Sequence, residues 1–289
     1  MADTILVVGA TGMLGEPVAR RLRVDGFAVR VLSRSVERAT QKFSEGFELV
    51  QGDIADPDSL ERALAGCYGV HINLSGGPAP EDFDRIEHRG TANVASAAAK
   101  VGVKRLTYIS GISARPENRY FAPAAAKLAA AEAIRASGVP FTIFRPSWFF
   151  ESLRLFVRGN TAATLGGRRV KFHWLAADDY AGMVSRCYRM PETAGKILDL
   201  HGPEPVTMLE ALRRYCAIVH PELRPRAMPI WLARIIAVAT FNRTLKNVLP
   251  AMAFFDRPHD EGDPTEANNL LGAPKTSLED WARAEASRT

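Results

Sequence analysis

Residues Thr4 to Gly15, Thr-Ile-Leu-Val-Val-Gly-Ala-Thr-Gly-Met-Leu-Gly, join a continuous apolar run to a turn with glycine at every third position, and a helical pattern follows. The three glycines have separate uses. Gly9 allows a tight turn, Gly12 lets a pyrophosphate approach the backbone, and Gly15 lets the helix pack closely on the strand. The N–H groups and positive dipole end of a helix starting near Gly12 would then meet the phosphates. Glycine-rich turns also end strands that bind nothing. With a strand before it and a helix after it, this one reads as a dinucleotide-binding turn made of Gly9, Thr11, Gly12, Met13, Leu14 and Gly15.

The downstream pattern repeats the unit. Apolar strand-like runs recur at Ala28 to Leu32, Phe47 to Val50, Gly69 to Leu74, Lys104 to Ile109 and Pro140 to Phe144. Helical stretches lie between them, two of them alanine-rich, Asp82 to Lys100 and Phe121 to Ser137, the second stopped by Gly138. Alternation of this kind predicts an α/β fold, a Rossmann-type doubly wound parallel sheet. After Phe144 the alternation fails. A strand is expected at Val170 to Trp174, a helix from Asp178 to Arg189 and a strand at Lys196 to Leu200, with mostly helical patterns beyond. Asp178 and Asp179, just before a helical run, read as N-caps rather than ligands. The expected organisation is a dinucleotide-binding core at 1–150 and a smaller, mostly helical lobe at 151–289, with segments near 170–200 returning to the core.

Composition excludes several classes. At 289 residues and 47% hydrophobic content the chain can bury a large core without metals or disulfides. Its three cysteines, Cys67, Cys187 and Cys216, are widely spaced and odd in number, as for buried thiols in a reducing compartment, and no metal site is expected. The first strand begins almost at once, so no signal peptide is read, and the expected location is cytoplasmic. A net charge of +5 is too modest for nucleic-acid binding without a concentrated basic face. The apolar segment at 230–255 is broken by Arg234, Arg243, Lys246 and Pro250, short of the roughly 20 residues of a bilayer span. It reads as a pair of amphipathic helices roofing a pocket, with membrane-surface contact or a subunit interface as the other readings.

Basic residues cluster once, as Arg20, Arg21, Arg23, Arg30, Arg34, Arg38 and Lys42 against Asp25 and Glu37. Arg21 and Arg23 read as solvated helix positions. Arg34 lies just past the second strand, about 20 residues beyond the glycine turn, where an NAD site carries a ribose-chelating acid. Here the residues are Ser33-Arg34-Ser35. A guanidinium and two hydroxyls suit a 2′-phosphate, so NADP is favoured over NAD.

The blocks Gly9-Ala-Thr-Gly12-Met-Leu-Gly15, Leu32-Ser-Arg34-Ser, Gly52-Asp53-Ile-Ala-Asp56-Pro57, Tyr108-Ile-Ser110-Gly111 and Phe144-Arg-Pro146-Ser-Trp148-Phe-Phe resemble the short-chain dehydrogenase/reductase superfamily. Its atypical branch, the NmrA-like or NAD(P)H-binding group, is the most similar. Asp178-Asp179-Tyr180-Ala181 and His201-Gly202-Pro203-Glu204 extend the likeness through about residue 205. The resemblance implies that Asp53 and Ile54 contact the adenine, Leu74, Ser75 and Gly76 the adenosine ribose, and Pro146, Ser147, Trp148 and Phe149 the nicotinamide side. Without it, Asp53 is an ordinary turn residue.

The chain departs from that family where proton transfer is done. The superfamily uses Tyr-x-x-x-Lys on one helix, the Lys lowering the phenol pKa and holding the nicotinamide ribose while the Tyr exchanges a proton. The matching lysine here is Lys127, and four residues earlier stands Pro123. A helix beginning near Phe121 or Ala122 would leave Tyr120 on the preceding loop, as a proton donor, a packing residue or a substrate contact. Ser110 and Ser113, past the fifth strand, sit where hydroxyl donors to a carbonyl would be, although serines there also satisfy loop backbone.

Two functional classes follow. One is an NADPH-dependent oxidoreductase reducing a small apolar carbonyl or activated alkene, with the proton from Tyr120, a serine or water. The other is a non-catalytic NADP(H)-binding redox sensor or assembly factor, like some NmrA-like members and the related accessory subunit of respiratory complex I. The missing tyrosine favours the second, the cofactor site and the aromatic run Trp148-Phe149-Phe150 the first.

Overall fold

In the computed structural model, which describes residues 2–43, 45–77, 79–258 and 262–288, the chain divides into two compact units. The first contains residues 1–145, 177–199 and 264–272, and the second contains the rest.

The first unit opens with β1 (Thr4–Val8), α1 (Gly15–Val24), β2 (Ala28–Ser33), α2 (Val36–Thr40), β3 (Phe47–Gln51), α3 (Pro57–Leu64) and β4 (Gly69–Ile72). A helical rod then starts as α4 (Pro80–Asp82), widens into a π-helical stretch at Phe83–Gly90 and ends as α5 (Thr91–Lys100). β5 (Arg105–Ile109), α6 (Ala122–Ala136) and β6 (Phe141–Pro146) complete the run. Strands β1 to β6 lie in the order β6-β5-β4-β1-β2-β3, each pair parallel. The expected strand ends shift by no more than two residues. The central strands β1, β4 and β5 are buried at nearly every position, as befits strands covered on both faces, whereas β3 at the end of the sheet has no buried residue.

The order reverses between β1 and β4. That is the topological switch point, where a ligand is received beyond the carboxyl ends of the strands.

The second unit begins with β7 (Trp148–Phe149), β8 (Val157–Arg158), β9 (Thr161–Leu165) and β10 (Lys171–Leu175). The chain then returns to the first unit as α7 (Ala177–Cys187), which packs on α1, and β11 (Lys196–Leu200), which joins the sheet beside β6 to make seven strands. Asp178 and Asp179 lie inside the first turn of α7 rather than capping it, where their charge still complements the helix dipole. Next come β12 (Pro205–Thr207), α8 (Met208–Val219), β13 (Arg226–Met228), α9 (Ile230–Ala239) and α10 (Arg243–Phe255) in the second unit. A last excursion, α11 (Thr265–Leu271), belongs to the first unit, and α12 (Leu278–Ala286) closes the second. The second unit's core is aromatic: Phe150 stacks on Trp174 and Trp281, and Trp148 packs edge-on against Trp174 and Phe255. All three cysteines are buried and unbridged. No described helix is long and apolar enough to cross a membrane.

Candidate functional site

The turn after β1 is dictated by backbone sterics. Gly9 has φ of 81°, and a Cβ there would lie 2.0 Å from the Asn73 carbonyl oxygen beyond β4. A Cβ on Gly15 would lie 2.2 Å from the Gly9 oxygen. Over Gly12, by contrast, an added Cβ would meet only the Gly9 oxygen, at 3.2 Å. Two glycines therefore lock the turn between β1, α1 and β4, and the third leaves its outer side open. The helix starts at Gly15 rather than near Gly12, because Gly12 N–H donates back to the Gly9 oxygen at 3.1 Å. The Gly12 oxygen then accepts from Glu16 N–H at 3.1 Å, so Thr11, Met13 and Leu14 form the turn that enters α1. No side chain caps α1, which leaves its N-terminal N–H groups for an anion. The residues present fit a bound dinucleotide.

Positive charge lines the same turn. Lys42 Nζ donates to the Thr11 oxygen at 3.0 Å and pairs with Glu16 at 3.0 Å. Burial alone would raise the Glu16 carboxyl, but Lys42 and Arg20 together hold it below its ordinary value. Beyond β2, Ser35 caps α2 by accepting from Arg38 N–H, and the Ser33 hydroxyl donates to the Ser35 oxygen at 2.7 Å. Both hydroxyls expected at a 2′-phosphate thus already serve the local turn. Arg34 is exposed, and its guanidinium has no partner among the described residues. Arg30 is spent on structure, donating to the Ala63 and Ala65 oxygens and pairing with Glu48.

Past β3, Asp53 accepts from Ala55 N–H at 2.9 Å, a turn bond of the ordinary kind. The Ile54 oxygen accepts from the Asn93 amide at 2.9 Å, and its side chain faces Gly90, as does that of Leu74. Past β4, Gly76 N–H donates to Glu87 Oε1 at 2.6 Å.

Glu87 is the residue that local sequence patterns do not announce. It lies in the π-helical stretch, is 3% exposed, and its other oxygen is 3.0 Å from Lys127 Nζ. A widened turn inside an otherwise regular helix is a recurrent feature of functional sites. Lys127 comes from the second turn of α6, and its stem passes over Gly111, 3.6 Å from where a Cβ would stand. Four segments distant in sequence thereby meet: the loop with Gly76, the π-helical turn with Glu87, the Ser110-Gly111 end of β5, and α6. Burial opposes the Lys127 charge, but the adjacent Glu87 carboxylate, with a smaller contribution from Tyr108, more than offsets it and holds the ammonium above its ordinary range.

Tyr108 on β5 is fully buried beside this pair, and burial pushes its phenol up to about 12. Neither its hydroxyl nor that of Thr91 completes a well-formed hydrogen bond. Tyr108 is thus close to Lys127 yet shielded from solvent.

Ser110 and Ser113 are buried, and among the described residues neither hydroxyl is engaged in a hydrogen bond. Their backbones are fixed: Ser110 N–H donates to the Phe144 oxygen, and the Ser113 oxygen accepts from the Asn118 amide and Arg115 N–H. α6 begins at Ala122 with Pro123 in its first turn, and Tyr120 lies on the turn before it, 74% exposed. Pro146 ends β6, and all four residues expected at the nicotinamide side, Pro146 to Phe149, are counted in the second unit. Ser147 N–H donates to the Leu200 oxygen at 3.0 Å, Trp148 Nε1 donates to Ser152 at 2.7 Å, and Phe149 is buried. Among the described residues no cluster of His, Cys, Asp and Glu could hold a metal ion.

A family model described as NAD(P)H-binding matches residues 9–167. A (4-alkanoyl-5-oxo-2,5-dihydrofuran-3-yl)methyl phosphate reductase of Streptomyces griseus is 28% identical over 98% of both chains. A photosystem II assembly factor, Ycf39, of Trieres chinensis is 22% identical over 90% of this chain and 83% of its own. The crystal structure of a triphenylmethane reductase from Citrobacter sp., complexed with NADP(H), superposes with a TM-score of 0.75 at 21% identity, covering 98% of this chain and 99% of that one.

Proposed function

The chain belongs to the NAD(P)H-binding family, within the atypical short-chain dehydrogenase/reductases, and from that premise we propose that it is an NADPH-dependent reductase of a small activated alkene or carbonyl compound. The observation that carries the reading is the Lys127–Glu87 pair, largely withdrawn from solvent beyond the ends of β4 and β5 and beside the glycine turn's strand. The glycine turn and the uncapped start of α1 would hold the pyrophosphate, Arg34 the 2′-phosphate, Asp53 and Ile54 the adenine, and Lys127 the nicotinamide ribose. Arg34 and the absence of an acid beside it favour NADPH over NADH. When bound, the cofactor supplies a hydride to the substrate.

The chain's own part is to manage the negative charge that then develops on the substrate. Lys127, kept charged by Glu87, and the uncommitted Ser110 and Ser113 hydroxyls are the groups suited to face it. An isolated ketone must gain a proton as its alkoxide forms, which calls for a positioned acid. An alkene conjugated to a carbonyl spreads the charge as an enolate, whose protonation water can complete. With Pro123 at the tyrosine position and Tyr120 in solvent, the activated alkene is the substrate class that suits this chain better. The Streptomyces griseus relative, named for an acyl-bearing unsaturated lactone, supports the same choice.

The test is turnover with NADPH carrying deuterium at C4, offered unsaturated ketones, acyl lactones and saturated ketones. The expected result is oxidation of NADPH by the conjugated compounds, with the label on the β-carbon. Label on a carbinol carbon would replace alkene by carbonyl reduction. Tight NADPH binding with no oxidation across the panel would favour the second reading, a non-catalytic NADP(H)-binding sensor or assembly factor. Pro123 is the observation in that reading's favour, together with the likeness to the assembly factor.

A further inference from the structure

Between Glu222 and Asp256 the chain has no acidic residue, while Arg224, Arg226, Arg234, Arg243 and Lys246 are basic. The same stretch contains α9, α10 and the turn joining them. One face of α9 packs inward through Ala233 and Ala237, against Leu249 of α10 and against Leu165 and Met228. The opposite face is apolar as well. Trp231, Ile235 and Val238, at helical spacing, are 64%, 58% and 65% exposed, and Phe241 in the turn is 81% exposed. Four large apolar side chains exposed within eleven residues are more than the scattered exposure that any soluble surface shows.

Phe241 adds an independent observation. Its φ is 51°, and it is the only residue other than glycine with positive φ among the described residues. A bulky aromatic is disfavoured in that conformation, and a glycine there would relieve it. The strain presents a phenyl ring to solvent at the tip of a helical hairpin, which is what a contact residue needs and a structural one does not. Lys246 Nζ stands 5.7 Å from the ring centroid, and Arg234 and Arg243 are exposed with no partner among the described residues.

We propose that the α9–α10 hairpin is a peripheral attachment site for an anionic lipid surface, with Trp231, Ile235, Val238 and Phe241 entering the headgroup boundary and Arg234, Arg243 and Lys246 meeting acidic headgroups. A tryptophan–phenylalanine apolar stripe flanked only by cations is the composition of helices that lie in a membrane interface. A symmetric second copy is disfavoured, because it would bring the same cations together without an acid to neutralise them. The helices lie on the surface rather than across it, since α9 has ten residues, about 15 Å of helix.

The experiment is flotation of the full chain with phosphatidylcholine vesicles, with and without phosphatidylserine, at low and high salt. Binding is expected only with phosphatidylserine and should weaken with salt. Phe241→Gly is the decisive variant, because it removes the anchor and the strain together. It should raise the melting temperature while reducing the vesicle partition coefficient about tenfold or more, the usual size of one lost aromatic burial. Arg243→Gln with Lys246→Gln should reduce binding without changing the melting temperature. No partition into acidic vesicles overturns the proposal, as does binding that Phe241→Gly leaves intact. A concentration-dependent dimer lost in Phe241→Gly, without lipid binding, would assign the stripe to a second copy instead.

Discussion

The glycine turn after β1 and the Lys127–Glu87 pair lie at the same edge of one sheet, but they are built from different materials. At the turn the determinants are backbone: positions where a Cβ cannot fit and helix N–H groups that no side chain caps. At the pair they are side chains, two opposite charges withdrawn from water and held by a π-helical turn, a loop N–H and α6. A site of the first kind tolerates changes of charge and no change of shape. A site of the second kind tolerates some changes of shape and no unbalanced charge.

Each half of that contrast can be broken separately. The largest effect should come from Gly9→Ala, which forces a positive φ on alanine and drives its Cβ into the Asn73 oxygen. The expected loss is about 4 kcal/mol or more, read as a collapse of the urea midpoint together with NADPH binding. A stable Gly9→Ala protein would mean that the turn is not sterically locked.

Next is Glu87→Leu, which leaves the Lys127 ammonium, 17% exposed, without its counter-charge at a cost of about 3 kcal/mol, the lower end for a buried pair. Lys127→Met alone should be nearly as harmful, because it strands Glu87 instead. The double variant Glu87→Leu with Lys127→Met should recover most of the stability while remaining weak for NADPH. Adenosine 2′,5′-bisphosphate, which lacks the nicotinamide riboside, should bind the double variant as it binds the unmodified protein. Equal losses for both ligands would show general damage to the unit rather than a missing ribose anchor.

Arg34→Ala comes third. Its guanidinium is exposed, so folding should be unaffected, and NADPH should bind about 10- to 100-fold more weakly, the worth of a charge-assisted hydrogen bond, with NADH unchanged. Calorimetric titration of both cofactors decides this, and equal affinities in the unmodified protein would remove the preference altogether. The smallest effect is expected from Tyr120→Phe. A phenol standing in solvent ahead of α6 should matter within about twofold, whereas a loss of about 10²–10⁴ would mean that the turn folds over the substrate and supplies general acid.

The same contrast explains what the amino-acid sequence disclosed. The turn is local: Gly9, Gly12 and Gly15 lie in one motif, and β1 to β6 recur as largely apolar runs at regular intervals, so a doubly wound parallel sheet follows from residue order. Lys127 was legible through the resemblance to a known motif. Glu87 was not, because it lies in a run, Phe83 to Gly90, that reads as ordinary amphipathic helix, and neither its π-helical form nor the burial of the Glu87 carboxylate follows from that pattern. Tyr108 was hidden for a related reason, since a tyrosine in a strand ordinarily signals packing. The hydroxyls of Ser33 and Ser35 were legible as polar groups near Arg34, but their use in capping α2 depends on where that helix begins. Phe241 gave no signal at all, because backbone strain is a property of conformation.

The central claim is that backbone at the glycine turn and a charged pair at α6 hold the two ends of one dinucleotide. A crystal structure of the NADP⁺ complex tests it most directly. The account predicts pyrophosphate oxygens on the N–H groups between Gly12 and Gly15, Arg34 on the 2′-phosphate, and Lys127 Nζ still paired with Glu87 and within about 3.2 Å of a nicotinamide ribose hydroxyl. A dinucleotide bound elsewhere, or one at the glycine turn whose nicotinamide ribose does not meet Lys127, would contradict it.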